Sequence, residues 1–429
     1  LSSAASDVYK RQDFDFNNIK EENILVIGNP PWVTNSQLGS IGSENLPQKS
    51  NFKNHKGLEA ITGKGNFDIA EYILISIFKG LPAKKGHFAM LVKNSVIKNI
   101  VLENETAYKI GDLHQYEIDA IKEFGASTSA SLFFGKLGVH QKETTCKAYN
   151  IYTNEYIKRF GLINENQISD IDAYEKSNLI DGESPIIWRS GIKHDCSKVM
   201  ELVKKENGMY ENGMKETFHI EEDFIYPLVK SSDISKFEGK VRKHLIVTQK
   251  KTSDETNTIE EKCPLTYEYL LKHSTLLDNR KSSIYKNRAR FCMFGIGDYS
   301  FFPYKIVISA LYKSTMFSLL YPLNGKPIMI DDTCYSIGFK NEKEASITLK
   351  ILNGIHVQNF IKSISFPDAK RVITKDILMR IDLNKAFKLY TYQELGINEE
   401  EYYRYKKIID TKPKKETKEA LITQLSLFN

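Results

Sequence analysis

The sequence predicts an α/β protein with two domains. The first is part of an open sheet in which strands and helices alternate, and the second is a mixed α/β domain. Three observations predict this. Ile24-Leu25-Val26-Ile27-Gly28 is a short apolar run that reads as a buried strand. A helical repeat over residues 67–81 and an apolar run opening with Gly86 follow it. From Pro185 onward the composition shifts to short aromatic-rich segments separated by charged ones. The expected boundaries are a non-native or disordered start at 1–12, a first domain at 13–150, a connector at 151–184, a second domain at 185–395, and a charged helix with a flexible tail at 396–429.

Size and charge narrow the function classes. A chain of 429 residues holds two or three domains with full cores. Its 60 basic and 54 acidic residues leave a net charge of +6, which permits nucleic-acid binding without requiring it. Cys146, Cys196, Cys263, Cys292 and Cys334 are scattered, with no CxxC pair. That pattern predicts reduced thiols in the cytosol and no zinc or other metal site. No apolar run approaches the roughly 18–20 residues of a membrane helix, and no signal peptide is evident.

The elements follow in order. Asn29-Pro30-Pro31-Trp32 closes the first strand, at the carboxyl end where open α/β sheets bind ligands. Residues 33–66, with five glycines, form a long loop that either covers a site there or is a surface insertion. The 67–81 helix sets Ala70, Leu74 and Phe78 beside Ile69, Ile73 and Ile77. Strands are expected at 86–92, 113–118 and 129–134, with Phe124-Gly125-Ala126 between the last two. Residues 305–320, 327–339 and 347–364 complete the second domain. Within it, Arg280, Lys281, Lys286, Arg288 and Arg290 surround Tyr285. Basic residues interleaved with an aromatic suit phosphate contact plus stacking, and the plainer alternative is a solvated basic face. Arg189 and Lys230 are weaker candidates of the same kind. Phe366-Pro367-Asp368 is not followed by an Asp/Glu-x-Lys, which argues against a nuclease centre.

Asn29-Pro30-Pro31-Trp32 resembles the catalytic motif of amino-group DNA methyltransferases. The chemistry accounts for the residue types. The exocyclic amine of adenine or cytosine is a poor nucleophile because its lone pair is delocalised into the ring. An Asn side-chain carbonyl and a main-chain carbonyl accept its hydrogens and draw the nitrogen towards tetrahedral geometry. Two prolines stiffen the acceptors, and the aromatic ring gives an extruded base a surface. Residues 67–72, 86–94, 129–134, 186–195, 224–234 and 294–301 resemble further segments of γ-type adenine-specific methyltransferases of restriction–modification systems. The resemblance implies a partial Rossmann-like S-adenosylmethionine-dependent methyltransferase domain followed by a target-recognition domain. It implies methylation of the 6-amino group of adenine in double-stranded DNA, in the bacterial cytoplasm at the nucleoid. Asn29 and the Pro30 carbonyl would bind the amine. Trp32 and Phe134 would hold the ring, with Phe133 facing the other way. A cytosine 4-amino methyltransferase, the methylase part of a bifunctional restriction enzyme and an inactive DNA-specificity module stay open. A protein-glutamine methyltransferase would not need the second domain.

Two further expectations come from that family. Its S-adenosylmethionine is held by a Gly-rich turn and an acidic residue that precede the catalytic tetrapeptide, and none is found in the 28 residues before Asn29. A permuted order would need Phe294-Gly295-Ile296-Gly297 as that turn, but this run leads into the β-branched Ile306-Val307-Ile308 rather than a helix. An N-terminal truncation is therefore the expectation, with weak cofactor binding by this chain alone. At the other end, Gln424-Leu425-Ser426-Leu427-Phe428 resembles the peptide that bacterial repair proteins insert into the sliding clamp, with Gln424, Leu425, Leu427 and Phe428 as contacts.

Overall fold

A computed structural model describes residues 16–33 and 68–410, apart from 82, 105, 235, 236 and 238. The expectations for 1–12, for the loop after Val33, for Phe67 and for the clamp-binding tail lie outside the described residues. The chain divides into two compact units, one ending at Glu175 and one beginning at Lys176.

The first unit is a seven-stranded mixed sheet. Strand β1 (Asn23–Gly28) runs parallel to β2 (Lys85–Lys93), with Val26 beside Phe88 and Gly28 beside Met90. Parallel neighbours need a crossover, and α1 (Ile69–Gly80) lies on that connection. Its start is fixed by Asp68, whose carboxylate accepts from the Ala70 amide at 3.1 Å. After β2 come α2 (Asn94–Leu102), β3 (Ile110–Ile118), α3 (Ala120–Phe124) and β4 (Ala130–Leu137). Strand β4 inserts antiparallel between β2 and β3. Strands β5 (Thr145–Asn150), β6 (Tyr156–Ile163) and β7 (Asn166–Ile168) extend the sheet, giving the order β1-β2-β4-β3-β5-β6-β7. Phe88, Met90, Val92, Leu113 and Phe133 are buried, as are Leu74 and Phe78 of α1 and Val96, Ile97 and Ile100 of α2.

The first half of the connector expected at 151–184 carries two strands of the sheet. Tyr156–Ile163 pairs with β5 on one side and with Asn166–Ile168 on the other. Asn164 and Glu165, at φ of 48° and 65°, form the two-residue turn between them. The charge of this stretch hid the strand. Tyr156 and Ile157 are exposed while Phe160 is buried, so only the second half of β6 packs on the core.

The second unit carries two sheets. One has the order β11-β10-β9-β13-β12-β16, from β9 (Glu201–Lys204), β10 (Tyr210–Glu211), β11 (Thr217–Phe218), β12 (Ile225–Val229), β13 (Lys243–Ile246) and β16 (Met329–Ile330). The other has the order β15-β14-β17-β8, from β8 (Arg189–Ser190), β14 (Tyr304–Ser309), β15 (Ser318–Leu320) and β17 (Cys334–Phe339). Leu202, Tyr210, Leu228, Leu245, Leu270 and Met293 share one core cluster. Helices α4 (Pro264–Lys272), α5 (Ser274–Asp278), α6 (Glu342–Asn353), α7 (Ile355–Ile364) and α8 (Glu399–Ile409) belong to this unit. Gly295 has a reason unrelated to a cofactor. Its φ is +69°, and a Cβ there would stand 2.4 Å from the Gly191 carbonyl oxygen. Ile306-Val307-Ile308 is the middle of β14.

Candidate active site and basic surface

The tetrapeptide leaves the sheet at the carboxyl end of β1. Pro30 is buried, Pro31 and Trp32 are half-buried, and Asn29 is exposed. Two contacts pin the segment. The Trp32 indole Nε1 donates to the Leu91 carbonyl on β2 at 3.2 Å. The Val33 carbonyl accepts from the Ile69 amide at 3.0 Å, which ties the segment's exit to the first residue of α1. Asp68, capping that helix, also pairs with Lys93 at the end of β2. Burial holds the Asp68 carboxyl above its usual range, against the pull of Lys93.

Behind this edge lies a polar network. The Ser131 hydroxyl donates to Asn94 Oδ1 at 2.7 Å and accepts from Gln115 Nε2 at 3.2 Å, and Asn99 Nδ2 donates to the buried Glu71 at 3.1 Å. Gln115 and Ser131 are themselves buried, so these bonds satisfy groups that have no water.

The ring that meets Trp32 is Phe124, with centroids 5.7 Å apart and planes at 87°. Phe124 is the last residue of α3 and is 51% exposed, so one side of the pair is open. A short helix holds it there. Asp119 caps α3 by accepting from the Lys122 amide at 3.1 Å, and Gly125, in the left-handed region at φ 64°, ends it. Phe134 sits elsewhere. It lies beside Ala89, two pairs further from the carboxyl end than Leu91, and stacks on His87 at 5.5 Å. Phe133 is buried against Phe88, on the opposite face as expected. Among the described residues the aromatic partner of Trp32 is thus Phe124, a residue read from sequence only as part of a turn. An aromatic directly before a glycine helix stop was the available signal.

The described residues do not fit the methyl donor. Asp68 is already used by the α1 amide and Lys93, and Glu71 is engaged by Asn99. Beyond β1 the sheet has no further strand among the described residues, and Leu25 and Ile27 on β1 are 62% and 72% exposed.

In the second unit the basic candidates separate into two groups. Arg280 spends its guanidinium on backbone carbonyls. It donates to Leu277 at 2.7 Å, Cys292 at 2.7 Å, Arg290 at 3.0 Å and His194 at 3.3 Å, and it lies 3.7 Å over the Tyr285 ring. Tyr285 also meets Phe294 edge-on, so it packs inward and does not stack on a partner. Arg290 is held bidentately by Asp278, with Nη2 to Oδ2 at 2.6 Å. Lys230 donates to the buried Glu201 at 2.7 Å and pairs with Asp331 at 3.5 Å. Glu201 also takes Lys243, with His194 at 3.5 Å. Burial pushes its carboxyl up, but the hydrogen bonds from His194, Lys230 and Lys243 outweigh burial and hold it well below the usual carboxylate range. Arg280 and Lys230 are therefore spent on contacts within the fold, while Arg290 is exposed and paired with Asp278. Lys281, Lys286 and Arg288 are exposed, and Arg189 is half-buried over Tyr299 at 4.8 Å. Glu201, Lys230, Arg280, Lys281, Asp331 and Asp332 line a cleft of about 570 Å³. Among the described residues no group of three or more His, Cys, Asp or Glu could hold a metal ion, and no helix is long and apolar enough to cross a membrane.

The chain is similar to known proteins over most of its length. It is 43% identical over 372 residues to the Type II methyltransferase M.NspV of Nostoc sp., a match covering 85% of this chain and 77% of that protein. Its fold is similar to that of the Type IIL restriction-modification enzyme MmeI solved in complex with DNA. The TM-score is 0.51 at 12% identity, and the match covers 96% of this chain and 58% of the MmeI chain. No protein-family model matches it.

Proposed function

The chain belongs to the type II methyltransferase family, and from that membership we propose that it methylates the 6-amino group of adenine in a specific sequence of double-stranded DNA, within a restriction–modification system. S-adenosylmethionine is the methyl source this implies. It supplies an electrophilic methyl group when bound, and its pocket requires residues beyond those described. A soluble enzyme working on the bacterial nucleoid fits this role.

One observation carries the reading. Asn29 stands exposed at the carboxyl end of β1, beside an indole that is hydrogen-bonded to the sheet and capped edge-on by Phe124. This chain's residues would act as follows. The slot beside Trp32 and Phe124 takes the extruded ring by stacking and edge contact. Asn29 Oδ1 and the Pro30 carbonyl accept the two amine hydrogens, which frees the nitrogen lone pair. Pro30, buried, and Pro31 keep both acceptors from turning away. Duplex DNA is held through exposed cations of the second unit, Lys281, Lys286 and Arg288. The open edge and face of β1 leave room beside that strand for the residues that hold the cofactor. The chain as given should then bind S-adenosylmethionine weakly.

The test is the product. Plasmid DNA from cells expressing the intact gene is digested to nucleosides and analysed by mass spectrometry. N6-methyladenine that disappears with Asn29→Ala is the expected result. N4-methylcytosine would mean that the same acceptors serve the cytosine amine. Unmodified DNA from cells containing folded protein would sink the reading in favour of a specificity module without catalysis. Calorimetric titration of this chain with S-adenosylmethionine tests the cofactor statement, which micromolar affinity would overturn.

A further inference from the structure

The loop 311–316 of the second unit joins β14 to β15 and is built to hold apolar side chains out in solvent. Leu311, Tyr312 and Met316 are 41%, 50% and 52% exposed, and Lys313 is exposed between them. Exposed large apolar side chains clustered in six residues are costly unless they meet a partner. The loop is also rigid at both stems. On one side the Ser309 hydroxyl accepts from the Leu311 and Tyr312 amides at 3.1 and 3.3 Å, and the Ala310 amide donates to the Thr333 carbonyl at 2.9 Å. On the other, the buried Gln358 of α7 accepts from the Thr315 hydroxyl at 2.6 Å and donates to the Thr315 carbonyl at 3.0 Å. Asn353 of α6 makes the same two-way clasp on Phe317, at 2.9 and 3.0 Å. Two side-chain amides thus fix the backbone on either side of Met316.

The chemistry of the surroundings selects the partner. Residues 311–316 contain no carboxylate. The Ala310 carbonyl accepts from the Ile373 amide at 3.5 Å, which sets Lys370 and Arg371 close by. Arg371 anchors on the Asp332 carbonyl at 3.0 Å, stands 4.0 Å from the Asp332 carboxylate and keeps its side chain 39% exposed, and Lys370 is exposed. An aromatic and an aliphatic tip flanked by cations is the composition of a wedge that presses on bases while its neighbours hold phosphates.

We propose that the 311–316 loop is a DNA-contacting tip, with Leu311 and Tyr312 packing against base surfaces of the duplex and Lys313, with Arg371, contacting its phosphates. This rests on the reading that the substrate is duplex DNA. It assigns contacts that the basic segment 280–290 does not provide.

The test is a fluorescence-anisotropy titration of the full chain with a labelled duplex carrying the sequence methylated in cells, across a salt series. Tyr312→Ala should weaken binding about tenfold with the salt slope unchanged, as loss of a stacking contact does. Lys313→Ala should weaken binding to every sequence alike and lower the salt slope by about one. Both residues are exposed, so unchanged melting temperatures should accompany both results. Wild-type affinity and salt slope in both variants, with the wild-type chain binding and methylating DNA, would overturn the loop assignment alone. Loss of self-association on Tyr312→Ala at unchanged DNA affinity would make the loop a protein interface and overturn it too. A wild-type chain that binds no duplex overturns the substrate reading, and this one with it.

Discussion

Trp32 and Phe124, 92 positions apart in the chain, meet edge to face at 5.7 Å beside Asn29. Trp32 is fixed by its bond to Leu91, while Phe124 rides on one capped turn of helix. If this pair holds the target base, Phe124→Ala and Trp32→Ala should each lower kcat/KM of the intact enzyme by about 10–100-fold, the worth of one stacking contact. Phe134→Ala should stay within about twofold, because Phe134 stacks on His87 two pairs away from Leu91. Transfer of labelled methyl groups to a duplex oligonucleotide measures this. A crippled Phe134→Ala beside a normal Phe124→Ala would restore the assignment made from sequence.

The contrast between these two phenylalanines shows what was legible. Local patterns placed β1, α1, β2, β3 and β4 within a few residues, because each buries an apolar face whose spacing is written in the chain. The tetrapeptide stood out because the proposed chemistry calls for those residue types in that order. Phe124 did not, because its role depends on where a five-residue helix stops in space. Charge misled in the same way twice. Arg280 and Arg290 look like a DNA-binding run, yet their partners are four backbone carbonyls and Asp278, which no spacing rule reveals. Strand β6 looks like a linker because one end of it faces water.

That division of the basic residues is testable. Arg280→Ala removes four hydrogen bonds to carbonyls and the cover over Tyr285. It should cost roughly 2–4 kcal/mol of stability by the usual scale of buried hydrogen-bond loss, seen as a lower urea midpoint. The salt slope of DNA binding should not change. Arg288→Ala and Lys286→Ala should do the reverse, keeping the midpoint and lowering the slope by about one each. A reduced slope with Arg280→Ala at unchanged stability would return Arg280 to the DNA interface.

The Glu201 cluster predicts an acid limb. Glu201 is held below its ordinary range by His194, Lys230 and Lys243, against the opposing effect of burial. The folded state therefore binds fewer protons than the unfolded state as pH falls through the carboxylate range. Stability from this group is full above the unfolded value near 4.5 and is lost on acidification towards the lower folded value. Glu201→Gln should flatten that part of the stability–pH curve. Glu201→Ala should cost about 3–5 kcal/mol at neutral pH, because Lys230 and Lys243 lose the carboxylate they share. An acid limb identical in wild type and Glu201→Gln would refute the assignment.

Lys305 predicts a second limb of the same sign at higher pH. It is 2% exposed on β14, and its ammonium donates to the carbonyls of Phe302 at 3.0 Å and Ile328 at 2.8 Å, both neutral acceptors. Burial pulls the amine down to about 7 from an ordinary 10.5. Between those values the unfolded chain holds a proton that the folded chain has released, so stability rises with pH across that window. Below it, the fold carries a charge in its core. Methionine matches the lysine stem without the charge, so Lys305→Met should raise stability at pH 6 by roughly 2–4 kcal/mol, less whatever the two carbonyls lose as unpaired acceptors. The difference between the two proteins should shrink steadily towards pH 10, a comparison in which the tyrosines cancel. Urea melts of both proteins from pH 6 to pH 10 measure it. A constant difference would mean that Lys305 stays charged throughout, and that its two carbonyl bonds suffice to keep an ammonium in the core.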